Sequence, residues 1–228
     1  MAITINGTAN TVAGLTAGGL PDNTVDGGNL AMGSDAAGDI LYYNGTDYIR
    51  LAKGTDGQVL KLASGVPTWA YQGLAMVDQW RVTANGSVSA STDTVFASNW
   101  EQVDGTEFGT VGSAMTESSG IFTFPLTGVY KVEFVIFAND TESTSGLQTK
   151  IQMTVNNSSY NTIAIASDAI PDIGTYNYIT TYTSALVDVT DVSQCKVKFS
   201  TYSGGTFDYN GDSSKNETHA NFIRLGDT

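Results

Sequence analysis

The stretch Gly128-Val129-Tyr130-Lys131-Val132-Glu133-Phe134-Val135-Ile136-Phe137 decides the fold. Apolar and polar residues alternate through Phe134, and the run then becomes wholly apolar. A period of two is that of a half-buried strand, so Tyr130, Val132 and Phe134 are expected to face a core, with Lys131 and Glu133 opposite. Gly128 before the run and Asn139-Asp140 after it punctuate its ends. Pro125 and Gly128 mark a turn into it, because Pro fixes φ and Gly accepts the left-handed conformation. Outward from this strand, β-rich segments are expected at 77–82, 94–96, 120–124, 147–155, 160–166, 175–187, 195–201 and 218–225. No segment carries a 3.6-residue apolar period. Many short strands without helices between them indicate an all-β antiparallel sandwich over residues 76–228.

Composition agrees. Of 228 residues, Thr (30), Ser (20) and Gly (25) make up a third, and only 14% are charged, with a net charge of −13. A helical bundle is disfavoured. Nucleic acid is excluded as a partner, because ten scattered cations cannot form a basic stripe over phosphates. The single Cys195 precludes an internal disulfide and reads as a buried, inert thiol on a strand. The start of the chain lacks the basic and apolar stretches of a signal peptide, and no segment approaches the roughly 20 apolar residues of a membrane span.

Residues 1–36 contain only isolated apolar side chains, among them Ile3, Ile5, Val12, Leu15, Leu20 and Val25. They cannot bury a core of their own. The segment is either a flexible tail or an extended attachment arm. Residues 37–75 read as two β-hairpins. Asp39–Tyr43 and Thr46–Leu51 flank Asn44-Gly45, a dipeptide suited to a type I′ turn. Gln58–Leu62 and Val66–Trp69 flank Ser64-Gly65, with Pro67 limiting its strand to an edge or an early stop. Isolated two-stranded ribbons are marginal in water. Stacking around a threefold axis with copies of the chain would cover them.

The segment Gly120-Ile121-Phe122-Thr123-Phe124-Pro125-Leu126-Thr127-Gly128-Val129-Tyr130-Lys131-Val132-Glu133-Phe134 resembles the signature of the complement globular-head and tumour-necrosis-factor-like jelly rolls. The matching positions are Gly120, Phe122, Thr123, Pro125, Gly128, Tyr130 and Phe134. Lys150–Tyr160 is similar to a hairpin with an Asn156-Asn157 turn, and Ala220–Leu225, including Phe222, to the closing strand. The resemblance implies a homotrimer. Residues 38–51 and 57–69 are similar to repeats of tailed-phage fibre and virion-surface proteins. Gly18–Asp26 resembles the short arms of such proteins, notably in phages of marine cyanobacteria. That second resemblance implies a virion surface component, assembled in the host cytoplasm and released by lysis.

Catalytic chemistry is sparse. His219 is the only histidine, and without a Gly-x-Ser-x-Gly elbow it reads as a solvent-facing or interface residue. Glu101, Asp104, Glu107 and Glu117 are the carboxylates from which a glycosidase pair would be drawn. They are expected in a loop of small polar residues and read as a solvated face. Asp208-Tyr209-Asn210-Gly211-Asp212 is similar to a calcium loop but lacks its full ligand run. Neither a catalytic residue nor a cofactor is expected, and calcium has no support from ligand spacing.

The expectation is therefore a non-enzymatic trimeric virion appendage with an arm (1–36), a hairpin stalk (37–75) and a jelly-roll head (76–228). It would join capsid or tail proteins through residues 1–36, as a capsid decoration, a head fibre or a short spike. The acidic, hydroxyl-rich head suits stabilisation or weak contact with host-surface glycan, made avid by multiplicity. The alternatives are a tail fibre that recognises glycan and an enzyme that degrades polysaccharide.

Overall fold

Turn chemistry shapes the first of two units, Met1–Gly73. The computed structural model describes residues 4–6, 11–13, 32–56, 58–71, 73–140, 146–169 and 177–228, with the backbone alone at 4–6, 11–13, 71 and 140. Ile3, Leu15, Leu20 and Val25 of the expected arm lie outside the described residues. β1 (Thr4–Asn6) and β2 (Thr11–Ala13) form a short antiparallel ladder that sets Ile5 opposite Val12.

β3 (Ile40–Tyr43) pairs with β4 (Tyr48–Leu51), and β5 (Gln58–Ala63) with β6 (Val66–Tyr71). The first connection is not the expected two-residue turn at Asn44-Gly45. Tyr43 lies opposite Tyr48, so the loop is residues 44–47, and of its residues only Gly45 has positive φ. The Asn44 side chain explains the difference. Its Oδ1 accepts from the backbone N–H of Thr46 (2.8 Å) and Asp47 (2.9 Å), holding Asn44 in a local turn of its own. The second connection is the two-residue type. Ser64 (φ 51°) and Gly65 (φ 79°) are both left-handed, with Ala63 opposite Val66. β6 continues past Pro67 to Tyr71, because a strand with one neighbour has an edge where the missing donor is tolerated. The Trp69 indole donates to Ala52 O (2.8 Å), and Arg50 joins Asp39 (2.6 Å) and Ser34 O (2.7 Å).

The second unit, Leu74–Thr228, holds β7 (Met76–Val82), β8 (Gly86–Val88), β9 (Thr94–Val95), β10 (Trp100–Gln102), β11 (Val111–Gly112), β12 (Thr116–Ser118), β13 (Ile121–Thr123), β14 (Gly128–Asp140), β15 (Leu147–Thr154), β16 (Asn161–Asp168), β17 (Asn177–Val189), β18 (Lys196–Ser203), β19 (Phe207–Tyr209) and β20 (His219–Gly226). No helix occurs among the described residues. The larger sheet has the order β10-β7-β20-β14-β19-β8, with β17 along β14 and β11 on β7. The smaller runs β12-β13-β18-β15-β16, with β9 on β18. The long strands follow the expected segments. The two- and three-residue strands β8, β10, β11, β12 and β19 escape a periodicity reading because they are too short to show a period.

β14 alternates as expected. Tyr130, Val132, Phe134 and Ile136 are fully buried, while Lys131, Glu133, Val135 and Phe137 face outward. The core lies between the sheets and is built on rings. Phe134 stacks on Phe199 (4.6 Å between centroids), and Phe122 touches Trp80, Trp100, Phe199 and Phe222. The Tyr130 hydroxyl donates to Leu126 O (2.8 Å), closing the Pro125–Gly128 turn from inside. Gly128 (φ 136°) is pressed against Gly226 O, where a Cβ would come within 2.4 Å. Gly120 (φ 78°) ends the turn between β12 and β13, and Cys195 is buried.

One buried residue had no signal in the sequence. Asp78 points into the core opposite Phe222. Its carboxylate accepts from Gln79 N (3.0 Å), Trp80 Nε1 (2.8 Å), Gln102 Nε2 (2.8 Å) and Met115 N (2.8 Å). Four donors can hold a carboxylate out of water where no cation pairs with it.

Candidate interaction face

The outward side of β17, β14, β20 and β7 is read from their register, because residues directly opposite share a face. One row runs Val77, Ile223, Lys131, Leu186. The next is Gln79, Asn221, Glu133, Ser184, and the third is Arg81, His219, Val135, Tyr182. A wholly polar row thus lies between two rows of mixed character. Leu186 is 69% exposed, and Tyr182 and Tyr178 are exposed beside it on β17.

Glu133 is the centre of the polar row. It accepts from Lys131 Nζ (2.6 Å), Tyr182 Oη (2.8 Å) and Asn221 Nδ2 (3.1 Å). Burial alone pushes its carboxyl up, and these hydrogen bonds outweigh it, so the group lies below the usual carboxylate range. His219 is half-buried, with Nδ1 3.0 Å from Glu217 O. Burial pushes its imidazole below the ordinary value, against the opposing pull of the Glu217 carbonyl and the Glu133 charge.

Arg81 sits at the end of the third row with its side chain only 2% exposed. Nε meets Glu101 at 3.2 Å and Nη2 meets Asp104 at 2.9 Å. Arg81 Nη1, Asn216 Oδ1 and Asn221 Oδ1 are buried without a hydrogen-bond partner among the described residues. Native proteins leave few such atoms, each at a cost of about 1–3 kcal/mol.

The carboxylates considered for hydrolysis have structural duties. Glu101 lies on β10 rather than in the expected loop, and with Asp104 it neutralises Arg81. Glu117 lies on β12, also outside the expected loop, and accepts from Gly120 N (2.6 Å), while Glu107 lies on an exposed loop. The calcium-like segment is likewise turned to local bonds. Asp208 pairs with the Ser87 hydroxyl, and Asp212 caps Ser214 N (2.6 Å) and Lys215 N (3.1 Å). The Ser214 bonds hold the Asp212 carboxyl at about 2. Among the described residues, no group of three or more His, Cys, Asp and Glu is placed to hold a metal ion.

In the first unit, both faces of β5 meet solvent. Leu60 and Val59, which point to opposite sides, are exposed, and Leu62 is 70% exposed. Leu41, Tyr43 and Tyr48 are exposed on the other hairpin.

No protein-family model matches the chain, and no curated protein does. Solved structures do. Eiger TNF from S. frugiperda aligns with a TM-score of 0.51 at 13% identity, covering 68% of this chain and 96% of that one. Murine APRIL aligns at 0.47 and 13%, covering 66% and 98%. The PRD1 vertex protein P5 aligns at 0.43 and 16%, covering 68% and 100%. The larger unit of this chain is therefore an antiparallel sandwich with the tumour-necrosis-factor-like jelly-roll fold.

Proposed function

We propose that this chain is a non-enzymatic homotrimeric appendage of a tailed-phage virion, attached through residues 1–36 and presenting the jelly roll outward. Its work is assembly and surface display, as a capsid decoration, head fibre or short spike. The observation that carries the reading is the incomplete state of the single chain. Two hairpins expose apolar side chains on their faces, and a sheet face presents exposed Tyr178, Tyr182 and Leu186 beside the Lys131–Glu133 pair. Copies of the same chain related by a threefold axis would bury the hairpins and these exposed side chains. Apolar area removed from water stabilises such a contact by about 25 cal/mol per Å². The virion context is supported by the similarity of residues 38–51 and 57–69 to phage fibre repeats.

Light scattering on the full chain tests the assembly. A trimer is expected, and Leu186→Arg should give folded monomers, because a cation placed in the contact must be desolvated and stands directly opposite Lys131. A monomeric parent chain would overturn the reading. Cryo-electron microscopy of the intact particle tests the location. Threefold density on the capsid, reached by the arm, is expected. Its absence from the virion, or incorporation of a chain lacking 1–36, would refute the attachment.

A further inference from the structure

At the Asn139 end of β14 the outward face changes character. A single row across four strands sets Tyr178, Asn139, Asp208 and Ser87 side by side. Asn139, Asp208 and Ser87, with Asn85 and Asn210, line a cavity of ≈ 320 Å³. The volume is that of a small-molecule site.

The geometry points to a saccharide-binding site in this cavity, taking a neutral hexose through vicinal hydroxyls. Asp208 and Asn85 are each fixed on one side and open on the other. Asp208 Oδ1 accepts from the Ser87 hydroxyl, leaving Oδ2 as an acceptor. Asn85 Oδ1 accepts from Gly211 N (2.9 Å), so its Nδ2 remains a donor. The Asn210 backbone N–H donates to Phe137 O (2.8 Å), which sets its side chain at the rim. The side-chain amides of Asn139 and Asn210 have no partner among the described residues.

The mixture selects the ligand. An amide offers donors and acceptors together, as a sugar hydroxyl does, and three amides beside one carboxylate can meet adjacent hydroxyls in both senses. A phosphate would need a cation, and no Lys or Arg lines the cavity. A divalent metal ion uses acceptors alone and prefers several carboxylates. Tyr178, next to Asn139 in the same row but outside the cavity lining, is 48% exposed and stacks on Phe137 (5.4 Å, 19°), so an aromatic side chain flanks the polar groups on that side, where a sugar's C–H face would extend. This deepens the reading of the head as the outward part of a trimer, and rests on that reading for its biological role alone.

Saturation-transfer NMR of the full chain with glucose, galactose and mannose, in EDTA, tests the site. At least one hexose is expected to receive saturation. Asp208→Asn should weaken its binding about tenfold or more, Tyr178→Ala should do the same, and both should keep the parental melting temperature and oligomeric state. Transfer to none of the hexoses, equal transfer in both variants, or binding that requires added calcium would overturn the proposal. Light scattering on the same samples separates the two readings. A trimer that is silent to sugar removes the site alone, and a monomer that binds sugar removes the trimer alone.

Discussion

Asp78→Asn is the sharpest single test of how the larger sheet is held. The carboxylate is fully buried, faces Phe222, and takes two donors on each oxygen: Gln79 N and Gln102 Nε2 on Oδ1, Trp80 Nε1 and Met115 N on Oδ2. Asn has the same shape but replaces one acceptor with a donor, so two of the four partners would point N–H at N–H. A buried donor left unsatisfied costs about 1–3 kcal/mol, giving about 2–6 for two. Gln102 can swing toward solvent, which favours flipping the amide so that its NH2 faces Gln102 and Gln79; about 3 kcal/mol is then expected. For a unit of this size that lowers Tm by about 6–12 °C. Asp78→Ala strands all four donors and should fall further. Urea titration followed by tryptophan fluorescence is the assay, because Trp80 is itself a partner. The midpoint should drop with the m-value unchanged. If Asp78→Asn unfolds at the parental midpoint, the acceptor role is wrong and the residue serves by shape alone.

Phe134→Ala should cost about 3–5 kcal/mol, since it removes a ring packed on Phe199, Phe96 and Trp100, and parental melting would refute the placement of β14 in the core. His219 has a folded-state pKa below its ordinary 6.5, so the unfolded chain binds more protons on acidification. Its contribution to stability is therefore complete above about pH 6.5 and declines as pH falls, and His219→Gln should flatten that part of the denaturation profile. The hydrogen bond from Arg50, with those from Ala36 N and Lys53 N, holds Asp39 at about 2 against a usual 3.8. Hydrogen-exchange protection factors in residues 36–53, taken against intrinsic rates at each pH, should therefore hold down to about pH 4 and fall between there and pH 2. Asp39→Asn should lower protection at neutral pH and lose that acid dependence.

How much was legible follows from what a period can encode. Val129–Phe137 announces its two faces because side chains alternate across a strand, and Tyr130 and Lys131 fall on the sides that alternation assigns. Trp100–Gln102 and Phe207–Tyr209 have too few residues to alternate, yet they carry Glu101 and Asp208. Turn residues divided in the same way. Ser64-Gly65 adopts the two-residue turn, whereas Asn44 spends its side chain on its own backbone and opens the loop. The polar row on the larger sheet was beyond the sequence for a different reason. Lys131 and Glu133 read as outward, but their partners Tyr182 and Asn221 come from β17 and β20, and only the register brings them together. Asp78 shares its strand with Gln79 and Arg81, and no local pattern tells a buried acceptor from a solvated acid.

The same register bears on the proposed self-assembly. β17 runs 13 residues along β14 and has no hydrogen-bonded neighbour on its other edge among the described residues. A long edge with Tyr178, Tyr182 and Leu186 exposed would template unwanted pairing unless something covers it. Charge on that strand is sparse, with Asp188 at one end, so electrostatic repulsion gives little protection. The remedy lies one strand inward. Lys131, Glu133 and the Tyr182 hydroxyl form a closed hydrogen-bonded group that is already partly buried in the single chain. A partner covering this row would meet charges that are paired, and so would avoid the several kcal/mol that desolvating a lone ion costs. Arg81 in the row beside it is likewise neutralised within the chain, by Glu101 and Asp104. A face of this composition favours one orientation of one partner over loose hydrophobic association, which is what the proposed threefold assembly of identical chains requires.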